Sequence, residues 1–428
     1  MKAIQVGLLG LGTVGSGVYQ LLEERSGLIE GRTGLRFEVK RILVRDKGRQ
    51  RSVEVPPSRL TTDPGEILGD PEIPLVVELM GGISPAGRYL LQAVDGGRHV
   101  VTANKALLAE RGEELFSRAR ERRVSVGFEA SVAGGIPILK AIREGFVGNR
   151  ILEIYGIING TSNFILSEMT QRGAAFQEIL AEAQRQGYAE RDPKMDIDGT
   201  DAAQKLSILL LVCYGGLPPG RAVYVEGIDR ITPFDLEAVG KQGFAVKLLA
   251  IAKQQGGKIT ARVHPTLVPK SHPLADVSGV FNAVYLKGDP VGEAMFYGRG
   301  AGMMPTASAV VSDMVAAGQA ILRGGSVWEP PPSGTAAFGS IDDLATEYYL
   351  RFSVVDRPGV LARIASLLGA NQISISTVHQ YGASSGSKVP IVITTHEARE
   401  SNVRKAIEEI DRLESVLDKT MLIRVERL

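Results

Sequence analysis

The residues with the clearest chemical potential lie between positions 187 and 205. This block reads Gly-Tyr-Ala-Glu-Arg-Asp-Pro-Lys-Met-Asp-Ile-Asp-Gly-Thr-Asp-Ala-Ala-Gln-Lys and leads into an apolar stretch, residues 206–214, whose pattern is typical of a buried helix. Asp201 and Lys205 are four residues apart, so a helix places them on one face. An exposed pair of this kind would be an ordinary surface ion pair that contributes little to stability. Because the following sequence is too apolar for a solvated helix, we favour a site for one small polar substrate.

The composition is typical of a globular protein with an ample core. The chain has 428 residues, of which 44% are hydrophobic, and a formal net charge of +1. This length predicts two or three domains, and the balanced charge offers no case for binding nucleic acid or a membrane. The longest uninterrupted apolar runs fall short of the roughly 20 residues that a transmembrane helix needs, and the N-terminus lacks a signal-peptide pattern. We therefore expect a cytoplasmic protein.

Cysteine and histidine usage bears on disulfides and metals. Cys213 is the single cysteine, so an internal disulfide is impossible, and its apolar surroundings favour a core residue over a nucleophile. The five histidines are scattered without the spacing of metal ligands. The sequence therefore predicts no transition-metal site.

The start of the chain alternates short β-rich runs with helical stretches, which is typical of a doubly wound parallel sheet of Rossmann type. We assign residues 1–132 to this α/β nucleotide-binding domain. The predicted strands are Ile4 to Leu9, Phe37 to Val44, Leu75 to Leu79, His99 to Thr102 and Val124 to Phe128.

The rest of the chain divides into three parts. Longer helical segments mixed with strands predict an α+β domain over residues 133–302, and a predicted helix within residues 303–325 returns to the first domain. A Pro-rich stretch falls in residues 326–346, which we interpret as a linker. The order strand, helix, strand, strand, helix, strand in residues 347–428 predicts a ferredoxin-like module.

A glycine fingerprint near the N-terminus indicates dinucleotide binding. Gly10-Leu-Gly12-Thr-Val-Gly15 follows a predicted strand and opens a predicted helix, so that backbone N–H groups can approach a pyrophosphate. A glycine-rich connection without a ligand is the alternative. At the end of the second strand, Arg45 favours the 2′-phosphate of NADP, whereas the adjacent Asp46 leaves NAD open.

Two further segments lie where this fold places ligands. Lys105 follows the fourth predicted strand, at the edge where open α/β sheets bind ligands, although it could equally cap the next helix. Glu129 is followed by small residues whose carbonyl oxygens, with its carboxylate, could hold a monovalent cation. A plain interdomain hinge explains the same glycines.

Together these motifs resemble homoserine dehydrogenase of the form with a C-terminal ACT domain. The resemblance covers nearly the whole chain. Its segments are Gly-Leu-Gly-Thr-Val-Gly at 10–15, Thr-Ala-Asn-Lys at 102–105, Asn-Gly-Thr-Ser-Asn at 159–163, Gly-Tyr-Ala-Glu-Arg-Asp-Pro at 187–193 and Asp-Ile-Asp-Gly-Thr-Asp-Ala-Ala-Gln-Lys at 196–205. One departure is Met195, where some relatives have a second acid beside Asp196.

The resemblance implies NADP- or NAD-dependent interconversion of L-homoserine and L-aspartate 4-semialdehyde, a branch-point step toward threonine, isoleucine and methionine. It also implies that residues 133–302 bind substrate, catalyse the reaction and dimerise, in a homodimer or homotetramer. The amino acid would be held by Glu190, Asp196 and Asp201. Cofactor contacts would fall at Gly10, Leu11, Gly12, Thr13, Val14, Gly15, Arg45, Lys105, Gly187 and Gly302. A sodium-like ion would be held by Glu129 and by backbone oxygens of Val132, Gly134 and Ile136.

The resemblance makes Lys205 the proton donor and acceptor and puts Lys105 between cofactor and substrate. The chemistry suits lysine, because hydride transfer to an aldehyde leaves a developing alkoxide that an ammonium can stabilise and protonate. From residue type alone either lysine could do this. We favour Lys205 as the acid/base and Lys105 as electrostatic support.

The segment Asp356-Arg-Pro-Gly-Val-Leu resembles the ligand loop of ACT domains and implies L-threonine as an effector. Gly359 and Val360 would offer a helix N-terminus to the ligand carboxylate beside Asp356, with Asn371 and Gln372 bonding from a facing turn. A module that only dimerises the chain is the alternative.

Two other functions compete with this interpretation. One is another amino-acid dehydrogenase built on the same sheet, which would give no reason for the block from Glu190 to Lys205. The other is a cofactor-sensing regulatory protein without turnover, which predicts nothing about its paired acids and lysine.

Overall fold

The computed structural model describes residues 3–216, 223–326, 337–382 and 388–428. The chain forms two compact units. The first comprises Met1–Leu152, Gln204–Pro219 and Asn282–Ala336, and the second comprises Glu153–Ala203, Gly220–Phe281 and Ala337–Leu428. Within the described ranges, no helix has the length and apolar character needed to cross a bilayer. The Pro-rich part of the predicted linker, residues 329–335, lies outside the described residues.

The strands and helices are numbered along the chain. The strands are β1 Ile4–Leu9, β2 Phe37–Leu43, β3 Leu60–Thr61, β4 Leu75–Glu78, β5 His99–Thr102, β6 Val126–Gly127, β7 Arg150–Ile157, β8 Val223–Val225, β9 Phe244–Gln255, β10 Lys258–Pro269, β11 Phe281–Asp289, β12 Gly292–Arg299, β13 Ala337–Phe338, β14 Ala345–Thr346, β15 Tyr348–Val355, β16 Ile375–Gln380, β17 Lys388–Thr395, β18 Ala398–Arg399 and β19 Met421–Val425. The helices are α1 Thr13–Glu24, α2 Ser26–Thr33, α3 Gly65–Leu68, α4 Ala86–Asp95, α5 Lys105–Arg122, α6 Ile138–Lys140, α7 Gly160–Arg172, α8 Phe176–Arg185, α9 Lys194–Ile197, α10 Thr200–Tyr214, α11 Pro233–Lys241, α12 Met303–Arg323, α13 Val360–Ala370 and α14 Glu400–Ile410.

A six-stranded parallel sheet forms the core of the first unit. Its strand order is β3-β2-β1-β4-β5-β6. The order reverses direction between β1 and β4, which makes the carboxyl ends of these strands the expected ligand-binding edge. The Rossmann-type sheet predicted from the alternating pattern is confirmed.

Helix α12 packs against helix α1 in this unit. Gly17 of α1 has no room for a side chain, since a Cβ there would lie 2.9 Å from the carbonyl oxygen of Met303. Ala307, Val310 and Met314 of α12 are buried in the same hydrophobic cluster as the strands of the parallel sheet. The long helix α12 is thereby part of the core of the first unit.

The compact units divide the chain differently from the predicted domains. Residues 133–152 and 282–302 fall in the first unit, although the sequence pattern groups them with the α+β domain. The physical reason is a close backbone contact. The Gly135 N–H donates to the Arg299 carbonyl at 3.0 Å, and a Cβ on Gly134 would lie 2.8 Å from the Gly300 carbonyl oxygen.

One sheet dominates the second unit, with the order β7-β9-β10-β19-β15-β17-β16. β9 and β10 form a long antiparallel hairpin that turns at Gly256 and Gly257, whose φ angles are +56° and +78°. Glycine adopts these angles without strain. β10 also pairs in parallel with β13 and with β19. The C-terminal module therefore continues the sheet of the α+β part, and part of the predicted linker is already a strand.

The C-terminal module has the predicted ferredoxin-like form. Its antiparallel strands run in the order β19-β15-β17-β16, and helices α13 and α14 complete the βαββαβ sequence. Tyr348, Phe352, Ile364, Ile393 and Val403 are fully buried in its core. The predicted three-part fold class, comprising a Rossmann-type sheet, an α+β part and this module, is confirmed.

A buried carboxylate joins this module to helix α11. Asp235 is fully buried and accepts hydrogen bonds from the Tyr349 hydroxyl at 2.9 Å and from the Arg351 guanidinium at 2.6 and 3.1 Å. Its second role is to cap α11 together with Thr232. Removing one partner of such a pair leaves the other charge buried and uncompensated.

We expect Asp235→Ala to lower the free energy of unfolding by about 3–5 kcal/mol, measured from urea or thermal unfolding. Glu237→Ala is the matched control on the same helix, because Glu237 pairs with Lys241 at the surface, where both side chains are more than half exposed. Loss of that pair should cost less than about 1 kcal/mol. Similar losses in the two variants would contradict the role assigned to Asp235.

Candidate functional site

The glycine fingerprint forms a tight turn between β1 and α1. Gly10 has a φ of +104°, and a Cβ on it would lie 2.8 Å from the Leu79 carbonyl oxygen. Gly15 allows the helix to approach the turn, because its Cβ would lie 2.3 Å from the Gly10 carbonyl oxygen. A Cβ on Gly12 would meet nothing within 4 Å, and no side chain caps the start of α1. An open helix N-terminus with accessible N–H groups suits a pyrophosphate.

The residues that follow β2 are mostly basic. Arg45 and Asp46 are both exposed, and the Asp46 carboxylate accepts a backbone N–H two residues later at 2.8 Å. Lys47, Arg49 and Arg51 line part of a cavity of about 200 Å³ beside this loop. The local charge at the end of β2 therefore favours an anionic group over a neutral hydroxyl.

Lys105 is the first residue of α5 and is partly buried. A hydrogen-bonded network that sequence reasoning missed supports its backbone. Glu78, fully buried at the end of β4, accepts the Thr102 hydroxyl at 2.6 Å. Asn104 caps α5 and donates its amide to the Gly82 carbonyl at 2.6 Å. An acid at the end of an otherwise apolar strand was the available signal for Glu78.

Glu129 is buried within the first unit beside a second acid. Its two carboxylate oxygens accept the backbone N–H groups of Leu139 and Lys140, each at 2.8 Å. Its own N–H donates to Asp313 of α12 at 2.7 Å. Burial and the nearby Asp313 raise the pKa of Glu129 to about 7, against the opposing effect of the two backbone N–H donors. Asp313, which sequence reasoning also missed, has its pKa raised by burial.

The three backbone positions predicted for the cation follow Glu129 closely. Val132 and Ile136 are buried, and Ala133 between them has a φ of +49°. The Ile136 carbonyl accepts the Ile138 N–H at 2.8 Å, while Gly134 lies against Gly300. Among the described residues, no group of three or more His, Cys, Asp or Glu side chains could hold a metal ion. Any cation here would depend on Glu129 and backbone oxygens.

Two of the predicted substrate acids come together in the second unit. Asn159, which follows β7, donates one amide hydrogen bond to Asp196 at 2.7 Å and another to Asp201 at 2.9 Å. Asp201 is 6% exposed and lies in the first turn of α10. The Ser162 hydroxyl donates to the Asp196 backbone carbonyl at 2.6 Å. Neither Asn159 nor Ser162 was assigned a role from the sequence, although both lie in the motif Asn-Gly-Thr-Ser-Asn at 159–163.

The other residues of the block have distinct positions. Glu190 is exposed, and Gly187 is exposed with a φ of +75°. Asp198 accepts the Thr200 N–H at 2.9 Å, as expected for an acid that only caps a turn. Lys205 lies one helical turn after Asp201 on α10, which includes the apolar stretch 206–214 that the sequence predicts as helical. Gly302, with a φ of +128°, precedes α12 as its N-cap.

The predicted effector loop lines a cavity of about 440 Å³ in the C-terminal module. Asp356, Gly359 and Val360 all contribute to it. Gly359 has a φ of +89° and precedes α13 without a side-chain cap. Gln380, which the sequence did not single out, also lines the cavity and donates to Asp356 at 3.2 Å.

Asn371 and Gln372 lie at the opposite end of α13. This helix has eleven residues, so they are about 16 Å from the cavity along its axis. Asn371 donates its amide to the Leu367 carbonyl and to Glu409. Within one chain they do not face the predicted loop, because a helix separates the two turns. Their assignment to the effector stays a prediction that requires a second copy.

Family models match nearly all of this architecture. The model described as "Homoserine dehydrogenase, NAD binding domain" matches residues 10–129, the model described as "Homoserine dehydrogenase" matches residues 137–315, and the ACT domain model matches residues 348–415.

Similar proteins agree with the family models. The chain is 45% identical over 435 residues to homoserine dehydrogenase of Synechocystis sp., with 99% of each covered, and 40% identical to that of Bacillus subtilis, with 100% and 99% covered. The crystal structure of a homoserine dehydrogenase from Thiobacillus denitrificans superposes with a TM-score of 0.91 at 44% identity, covering 100% of this chain and 99% of that one. A hyperthermophilic archaeal homoserine dehydrogenase in complex with NADPH has a TM-score of 0.62 at 28% identity, covering 74% and 98%. This chain, with its glycine turn, its paired acids before a helix lysine and its ACT domain, belongs to the homoserine dehydrogenase family of oxidoreductases.

Proposed function

We propose that this protein catalyses the reversible oxidation of L-homoserine to L-aspartate 4-semialdehyde with NADP or NAD, in the biosynthesis of threonine, isoleucine and methionine. Membership of the family supports this reaction. The observation that carries the proposal is the joining of Asp196 and Asp201 by one amide, one helical turn before Lys205. Two carboxylates suit the ammonium group of an amino acid, and a lysine suits a hydroxyl that must lose a proton.

The chain supplies the proton chemistry. In the oxidation, neutral Lys205 accepts the proton of the C4 hydroxyl as the C4–H bond breaks and the C4–O double bond forms. A nicotinamide cofactor held at the turn of Gly10 and Gly15 would supply the hydride acceptor. In the reverse direction, the Lys205 ammonium returns the proton to the developing alkoxide, and Lys105 stabilises that charge as a second cation. Asp196, Asp201 and Glu190 hold the substrate ammonium.

We expect Lys205→Ala to lower kcat for L-homoserine by about 10²–10⁴, followed as absorbance at 340 nm with NADP⁺ or NAD⁺. Lys105→Ala should lose activity with a different pH dependence, because this lysine contributes charge and not the transferred proton. Equal losses at every pH in both variants would contradict the division of roles. Cofactor binding by the wild type without turnover would instead support a cofactor sensor.

NADP is the cofactor that we favour. Arg45 and the basic residues after it support a 2′-phosphate at the end of β2, since an arginine pairs with phosphate through charge-assisted hydrogen bonds. The archaeal relative in complex with NADPH supports the same choice. The fit of the dinucleotide is supported by the tight turn that Gly10 and Gly15 allow and by the open space beside Gly12 at an uncapped helix N-terminus.

We propose a monovalent cation, sodium by preference, at Glu129 with the carbonyl oxygens of Val132, Gly134 and Ile136. The support is electrostatic. A carboxylate buried beside Asp313 carries a desolvation cost that its two N–H donors and the charge of Arg143 only partly offset, and its raised pKa of about 7 expresses the remainder. A bound cation would offset that cost and hold Glu129 ionised.

This site predicts a linked dependence of stability on pH and sodium. The folded-state pKa of Glu129 is above its ordinary value of 4.5, so its contribution to stability is present at low pH and is lost as the pH rises through about 7. The loss is on the order of 3 kcal/mol. At pH 8 we expect NaCl to raise the melting temperature of the wild type more than that of Glu129→Gln, with choline chloride as the ionic-strength control. Equal rises of the melting temperature in sodium chloride and choline chloride would contradict the proposed cation site.

We propose that L-threonine binds the cavity of the ACT domain and inhibits the enzyme. The support is a carboxylate, Asp356, placed to receive the effector ammonium, together with the uncapped N-terminus of α13 for its carboxylate. Coupling requires two states of the protein with different threonine affinity. The second unit offers a physical connection, because the strands of the ACT domain continue the sheet of β10.

We expect Asp356→Ala to raise the threonine concentration for half-inhibition by about tenfold or more, since a charge-assisted hydrogen bond is worth about 1.5–3 kcal/mol. Asp418→Ala is the matched control, because Asp418 pairs with Lys388 on the exposed surface of the same module. Turnover without threonine, measured in parallel, reports on folding. An unchanged threonine concentration for half-inhibition in Asp356→Ala would contradict threonine binding at Asp356.

We propose that the protein is a homodimer or homotetramer. Strand β12 pairs with β11 and is the terminal strand on that side of the sheet, and the apolar side chains of Val147, Val291 and Tyr297 nearby are 81%, 50% and 55% exposed. An edge strand with exposed apolar residues is normally covered in a stable protein.

A further inference from the structure

Asn159 is a buried asparagine whose side chain both caps a helix and contacts two carboxylates. It follows strand β7, caps helix α7 and is 5% exposed. Its side-chain oxygen accepts the Ser162 N–H at 2.8 Å. Its side-chain nitrogen donates to Asp196 at 2.7 Å and to Asp201 at 2.9 Å. An amide has two N–H donors, so both are committed to carboxylates.

These contacts determine the orientation of the amide. Ionised carboxylates only accept hydrogen bonds, and a backbone N–H only donates. The Asn159 nitrogen must therefore face Asp196 and Asp201, and its oxygen must face α7. Rotating the amide by half a turn would put its oxygen, an acceptor, against two acceptor carboxylates and its NH2 group against the Ser162 N–H, which is also a donor.

The two acids reach this nitrogen from separate elements. Asp196 lies in the short helix α9, and Asp201 lies in the first turn of α10. Two like charges that converge in a partly buried place repel each other and favour protonation of one of them. Hydrogen bonds from one neutral donor oppose this by favouring the ionised forms. Asn159 therefore helps to keep this pair of carboxylates charged at short separation.

We propose that Asn159 is a positioning residue of the substrate site, which holds Asp196 and Asp201 ionised and correctly spaced to receive the ammonium group of the substrate. This inference rests on the proposed function, from which the two acids take their role. A carboxylate has about four acceptor positions, so one hydrogen bond from Asn159 leaves it able to bind an ammonium. Asn159 itself does not touch the reacting atoms.

Asn163 provides a contrast on the same helix. It is 2% exposed, and its amide donates to the backbone carbonyls of Val277, Gly279 and Phe281 at 3.0–3.2 Å. These bonds hold a loop and involve no carboxylate. Asn163→Ala is therefore a matched control, which removes a buried asparagine from α7 but leaves the donors of Asp196 and Asp201 in place.

The test measures steady-state kinetics of L-homoserine oxidation across pH in wild type, Asn159→Ser, Asn159→Asp and Asn163→Ala. Serine keeps the helix cap but cannot donate to both acids. Aspartate keeps the shape and the cap, replaces both donors with a third carboxylate, and serves if the serine variant does not fold. We expect KM for L-homoserine to rise about tenfold or more in both Asn159 variants, while KM for the cofactor stays within about twofold.

The pH profile separates positioning from a merely structural role. In Asn159→Ser, the acidic limb of kcat/KM for L-homoserine should move to higher pH by about one unit, because Asp196 and Asp201 cannot both keep a hydrogen bond that favours the ionised form. In Asn159→Asp it should move further. Asn163→Ala should lower the melting temperature without moving this limb. An unmoved limb in both Asn159 variants, or equal changes in KM for substrate and cofactor, would overturn the inference alone. Absence of homoserine turnover by the wild type would overturn the proposed function and this inference together.

Discussion

A carboxylate removed from water must be met by hydrogen-bond donors or by a cation, and four buried acids of this chain have such donors. Glu78 accepts a hydrogen bond from the hydroxyl of Thr102, three residues before Lys105. Asp201 accepts one from the Asn159 amide. Glu129 accepts hydrogen bonds from two backbone N–H groups. Asp235 accepts hydrogen bonds from a tyrosine hydroxyl and an arginine guanidinium. The buried acids thus specify which segments lie next to each other, because each one is tolerated only in the presence of its donors.

Glu129 differs from the others in how its charge is compensated. Asp235 has a full positive charge in contact, whereas Glu129 has backbone N–H groups and a second acid, Asp313, near it. Two acids with weak compensation raise the free energy of the ionised state, which is why the pKa of Glu129 rises to about 7. Proteins store such a deficit where a cation or a ligand supplies the missing charge.

In the second unit, the ACT domain and the α+β part share one β-sheet and buried ion pairs. β10 pairs with β19, and Arg424 of β19 is fully buried between Glu400 and Glu226, which belong to the two parts. Arg262 of β10 pairs with Glu426 in the same region. A continuous sheet with buried ion pairs has little freedom to slide, so a change at the cavity lined by Asp356 would be transmitted to β10 and not absorbed by a flexible joint.

Local sequence predicted the elements well where one physical signal dominates. The helical character of α10 and α12 follows from the apolar pattern of residues 206–214 and 303–325, and the parallel sheet follows from the alternation of strands and helices before residue 130. The turn at Gly10 and Gly15 was recognisable because only glycine tolerates that backbone approach. The family itself was recognisable from the motifs, since they preserve the order and spacing of the residues that carry the chemistry.

By itself, then, the sequence determined the elements, the family and the residue types of the site. Only the tertiary structure decided which distant side chains are in contact. Asn159 reaches acids 37 and 42 residues away, and Glu129 meets Asp313 across 184 residues. It also decided that Asn371 lies a helix length from Asp356 within one chain. The physical reason is that periodicity and turn chemistry act over a few residues, whereas hydrogen-bond partners of buried charges are chosen by packing between distant segments.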